Sequence, residues 1–134
     1  MVKTLHLLLA TLLLGIHIFN TLLIYHTRHS EMQLSALKAT LQLDKWVIGF
    51  FILLLATGTL IVPTYHWHYD TPWISAAYRS LLLTALLWGS GAWLKSQRLK
   101  GKPLRHTLLN SISLAIFLFL LLTVKDAVTK HPWI

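Results

Sequence analysis

Cysteine is missing altogether from the 134 residues. That excludes a disulfide framework, thiolate-bound zinc, an iron–sulfur cluster and a thiol nucleophile. Methionine occurs only as Met1 and Met32, which leaves little basis for thioether ligation of haem iron or copper(I). Acid is almost as scarce: Glu31, Asp44, Asp70 and Asp126 are the whole supply, each expected in a loop or at a helix end. A proton relay or cation path uses ionisable groups within the membrane, so the scarcity speaks against a pump or ion channel. It also leaves no pair of carboxylates for glycoside chemistry.

Charge of any kind is sparse at 12%, about half the roughly 25% of an ordinary soluble domain. Hydrophobic residues make up 55%, and twelve Lys and Arg against four acids leave a net charge of +8. A basic, leucine-rich chain of this length reads first as one membrane domain with charged loops. The helix needed to cross a hydrocarbon core takes about 20 apolar residues, and four such windows fit. The expected helices cover 4–27, 46–65, 73–94 and 107–124, only the third holding a charge, Arg79. The expected fold is therefore all-α: a polytopic, antiparallel four-helix transmembrane bundle, one domain over 1–134. Lys3 before L-L-L-A-T-L-L-L-G imitates a signal peptide. The apolar run continues to Ile24 without a small-residue cleavage pattern, and so reads as a retained first helix.

Loop charges indicate orientation. Arg28, Lys38 and Lys45 lie between the first two helices, and Lys95, Arg98, Lys100, Lys102 and Arg105 between the last two; Lys3, Arg79, Lys125 and Lys130 lie on the other side. Eight against four puts both termini outside and the basic loops in the cytoplasm. The run K-S-Q-R-L-K-G-K-P-L-R is explained by the same rule, without nucleic acid. Pro63, Pro72, Trp67 and Trp73 suit an outer turn with interfacial aromatic anchors. Residues 29–42 suit a short amphipathic cytoplasmic helix, with Met32, Leu34, Leu37 and Leu41 on its apolar side. On the third helix Ala85, Gly89 and Ala92 recur at helical spacing and would let a partner helix or a second copy approach closely.

Eight histidines are the unusual feature, at 6, 17, 26, 29, 66, 68, 106 and 131. His6 and His17 are three turns apart, about 16 Å along one face, and Asn20 extends that stripe. Such imidazoles either hydrogen-bond neighbouring helices or ligate haem. The outer side gathers Lys3, His6, His66, His68, Arg79, Lys125, Asp126 and His131. There His6 would be the haem b ligand, with Arg79, Lys3 or Lys125 facing propionates. His66, His68 or His131 would be available for the opposite coordination position. A metal site for copper handling, built on His6, His66, His68 and His131, is another use, since 66 and 68 share one side of an extended segment. The second and third helices have no histidine, which argues against a transmembrane bis-His diheme arrangement. His66, Asp70 and Ser75 lack the surroundings of a hydrolytic triad.

K-T-L-H-L-L-L-A-T-L-L-L-G at Lys3 to Gly15, D-K-W and A-T-G-T-L between Asp44 and Leu60, T-P-W at Thr71 to Trp73, and the closing V-T-K-H-P-W resemble the integral membrane proteins grouped as domain of unknown function 2269. The resemblance covers nearly the whole chain and implies a bacterial cytoplasmic membrane protein. More distantly, K-x-x-H in the first helix is similar to the HemJ-type protoporphyrinogen oxidases and the CopD-type membrane domains. In the HemJ-type group a first-helix histidine goes with haem and porphyrin chemistry; Lys3 and His6 match that motif. Two functions follow as expectations: haem or porphyrin binding through His6 for electron transfer or porphyrin-related chemistry, or a non-catalytic accessory subunit of a membrane complex. Copper handling at the outer face is third.

Overall fold

A computed structural model describes residues 2–129, with side chains through residue 125. It is all-helical: α1 (Val2–Thr27), α2 (Gln33–Thr64), α3 (Pro72–Leu99) and α4 (His106–Thr129). Sequential neighbours run in opposite senses. His6 meets Thr57 and Asn20 meets Asp44 across α1 and α2, while Thr59 meets Tyr78 and Asp44 meets Trp88 across α2 and α3.

α2, α3 and α4 run well past their apolar windows, α4 as far as Thr129. α2 begins at Gln33 and absorbs the expected separate amphipathic segment. Nothing between Gln33 and Trp46 breaks a helix, and the buried positions Ala36, Leu37, Thr40, Asp44 and Val47 form one stripe that continues through Leu54, Thr57 and Ile61. Leu37 is fully buried on that stripe, whereas Met32 and Leu34 are exposed. α3 runs past Leu94 to Leu99 and takes Lys95 into its buried face. Its end is closed by Gly101 at φ 89°, with Lys102 N–H donating to the Gln97 carbonyl at 3.1 Å. Its start has Pro72 in the first turn, where no N–H is required. α2 closes in the same way, but the left-handed position belongs to His66 (φ 57°), with Trp67 N–H donating to Val62 O at 2.9 Å. His66 therefore caps α2 in the left-handed region and is not itself extended backbone.

The main core is Leu9, Leu13, Val47, Leu54, Trp88, Ile116 and Leu120. A second cluster joins Ile24, Leu37, Leu94 and Leu109 near the 28–32 and 100–105 connections. Thr40, Thr57 and Thr84 are buried with their hydroxyls returned to carbonyls of the preceding turn, so they add no unsatisfied donor. Outside, large apolar side chains are bare: Leu22, Trp46, Ile52, Leu82, Leu86 and Leu114 are each at least 60% exposed. Water does not favour such a surface; lipid does. Three helices, α1, α2 and α4 over His106–Lys125, are long and apolar enough to cross a membrane. The fourth, α3, includes Arg79 and Lys95 and more polar side chains.

Candidate functional site

At one end of the bundle, His6 points from α1 toward α2. Its Nδ1 lies 2.8 Å from Thr57 Oγ1. The Thr57 hydroxyl hydrogen is already directed to the Leu53 and Leu54 carbonyls, at 2.9 and 3.1 Å. In the tautomer with the proton on Nδ1, His6 donates, Thr57 accepts, and the other ring nitrogen, Nε2, is a bare lone pair. Gly58 makes the approach feasible: a Cβ there would stand 3.1 Å from His6 Cε1. The ring lines an apolar groove enclosing about 180 Å³ beside α1, α2 and α3, with Lys3, Trp67, Trp73 and Tyr78 also on its walls. Around it the aromatic side chains interlock, Trp67 stacking on Tyr65 and meeting Trp73 edge-on at 5.1 Å, while Lys3 Nζ sits 5.6 Å from the Tyr65 ring centre.

Other expected members are dispersed. Arg79 is exposed on α3 with its Nε donating to Ser75 O at 3.4 Å, and it does not line the groove. Lys125 is exposed on α4 and does not line it either. His66 and His68 are exposed in the α2–α3 connection. His131, like the side chain of Asp126, lies outside the described residues. Among the described residues no group of three or more His, Asp or Glu is placed to hold a metal ion.

About 20 Å away along α2, thirteen residues at 1.5 Å each, is a second polar centre. Asp44 is inside the helix and only 6% exposed, so its expected place in a loop or at a helix end is corrected. Its Oδ2 is 2.5 Å from Lys95 Nζ, and Lys95 is 4% exposed. Asp44 Oδ1 accepts from Trp88 Nε1 at 2.7 Å and from Asn20 Nδ2 at 3.4 Å. Lys95 is thus a core residue rather than a loop charge, and Lys38, Lys45 and Arg98 likewise lie within α2 and α3. His17 completes the layer. Its Nε2 donates to Ser113 O at 2.9 Å, and its ring meets Trp88 edge-on at 5.4 Å. A bundle histidine bonded to its neighbour helix is one of the two expected uses, and His17 has that one. Beside the layer lies a void of about 30 Å³, bordered by His17, Asn20, Lys95 and Ser113. Asn20 Oδ1 is buried here without a donor, and the space admits one water molecule.

Sequence reasoning located His6, His17 and Asn20 but missed Asp44, Trp88, Lys95 and Thr57. The available signal was spacing: Asp44 falls four residues after Thr40 and three before Val47, on a stripe that would otherwise be core. Lys95 likewise falls seven after Trp88, on the same face of α3. The small residues Ala85, Gly89 and Ala92 line a groove between α2 and α3. The small residues buried inside the bundle are instead Ala76, Ser80, Thr84 and Gly91 on the other face. No protein-family model, no curated protein and no solved structure matches the chain.

Proposed function

We propose that the protein is a four-span integral membrane protein of a bacterial cytoplasmic membrane, both termini outside, that binds haem b or a porphyrin iron through His6 for electron transfer or porphyrin-related chemistry. The single supporting observation is the His6–Thr57 hydrogen bond. It suits the tautomer with the proton on Nδ1, in which Nε2 is the unprotonated donor that iron requires and the ring is oriented by a partner on α2. Bound haem supplies one-electron redox chemistry; the chain supplies position and polarity. Thr57 orients the imidazole, Gly58 admits it against α2, and the groove's apolar walls exclude water. Lys3 is the cation at the groove for a propionate, in place of Arg79 or Lys125. The enclosed 180 Å³ is below the ~300 Å³ at which pockets for whole ligands begin, so the groove suits the edge of a ring rather than an entire macrocycle. The four-span reading is supported by the bare apolar exterior, and the family resemblance supplies the compartment.

Protein purified in mild detergent from haem-replete cells should show a Soret band. His6→Ala should abolish it, Thr57→Val should lower haem occupancy about 10- to 100-fold by removing the orienting partner, and His17→Ala should weaken it less. A colourless, folded and stable preparation would refute haem binding and leave the accessory-subunit role as the better reading.

A further inference from the structure

The groove between α2 and α3 has a volume of about 710 Å³, within the roughly 300–1,000 Å³ of specific ligand sites. Its polarity is graded along its length. On α2 it passes Lys38, Gln42 and Lys45 and then Ile48, Phe51 and Ile52; on antiparallel α3 it passes Ser96 and then Ala92, Gly89 and Ala85. From Lys38 to Ile52 is about 21 Å of helix, charged at one end and apolar at the other. The charge has one sign. Asp44 borders the groove, but Lys95 neutralises it from inside the bundle. Among the described residues no acid pairs with Lys38 or Lys45, which are both exposed. No atom stands within 4 Å of where a Gly89 Cβ would be, so the apolar half is open space.

We propose that this groove is a binding site for one acidic phospholipid, with an acyl chain lying against Gly89 and Phe51 and the headgroup phosphate held between Lys38 and Lys45. The direction agrees with the surroundings: the charged end lies toward the basic α3–α4 connection, on the side where anionic headgroups attract basic residues. A helix from a second copy is the other occupant that small side chains admit. Charge decides against it, because a two-fold contact through this groove would set Lys38 and Lys45 against their own copies. The inference rests on the membrane reading but not on haem.

The test is native mass spectrometry of the full chain released from micelles containing either phosphatidylglycerol or phosphatidylcholine, after insertion into vesicles is checked by resistance to carbonate extraction. The wild type should retain one phosphatidylglycerol. Lys38→Gln together with Lys45→Gln should weaken that binding about 30-fold, roughly fivefold per lysine, and remove the preference over phosphatidylcholine. Gly89→Leu should fill the apolar half and weaken both lipids alike. Both variants alter exposed positions, so helicity should be unchanged. Equal retention of the two lipids by the wild type, an undiminished preference in the double variant, or a dimer that Gly89→Leu dissociates without loss of lipid would overturn the site. A chain extracted by carbonate would overturn the membrane reading itself and the site with it.

Discussion

Replacing Asp44 by Ala removes the acceptor of three groups at once: the Lys95 ammonium, the Trp88 indole N–H and the Asn20 amide. All three are buried, none more than 7% exposed, so water cannot take over. Breaking a buried ion pair from one side costs about 3–5 kcal/mol, and the stranded Trp88 N–H alone accounts for about 1–3 kcal/mol of desolvation. The loss should fall near the upper end of the first range, a large share of the 5–15 kcal/mol that holds an ordinary domain together. Lys95→Met should cost less, toward 3 kcal/mol, because the carboxylate keeps both N–H donors and methionine refills the volume of the lysine stem. Combining Asp44→Asn with Lys95→Met should cost only about 1 kcal/mol: the amide oxygen still accepts from Trp88 and Asn20, and no charge stays buried. The assay is reversible unfolding by SDS in mixed micelles, followed by helical circular dichroism, with Asp44→Asn alone closing the double-mutant cycle. A coupling of more than about 2 kcal/mol is expected, since Asp44→Asn alone strands the Lys95 ammonium. Single variants that each cost under about 1 kcal/mol, or a double variant equal to the sum of its singles, would refute the claim that these two charges stabilise one another inside the bundle.

Gly58→Leu should displace the His6 ring, since even a Cβ there comes within 3.1 Å of Cε1; absorption at the Soret band should fall as in His6→Ala, and an unchanged spectrum would show that ring position is irrelevant to the ligand. The cysteine-free chain allows topology to be read with single cysteines: Lys100→Cys should resist an impermeant maleimide in intact cells and react after permeabilisation, and labelling from outside would reverse the orientation.

Much of the architecture is local and therefore legible. Helices are recognisable because a 3.6-residue repeat and an unbroken apolar composition act over neighbouring residues only, and Pro72 and Gly101 mark ends through their own backbone preferences. Helix limits were less legible where charged residues continue a buried stripe. Lys95 and Asp44 look like loop residues by charge, and only a partner of opposite sign makes their burial tolerable. His66 illustrates the converse: a residue without glycine's freedom occupies the left-handed cap of α2, so the backbone turns there instead of running extended.

The sequence by itself determined that the chain is helical and greasy, that the described residues form four helices, and that His6, His17 and Asn20 share a face, because each follows from composition and period along one helix. Which polar groups meet was decided by the tertiary structure alone. His6 finds Thr57 at a separation of 51 residues, and Trp88 finds Asp44 at 44. Such pairs depend on the rotation and offset of one helix against another. The packing of many apolar side chains sets those quantities jointly, and the order of residues along any single helix does not contain them.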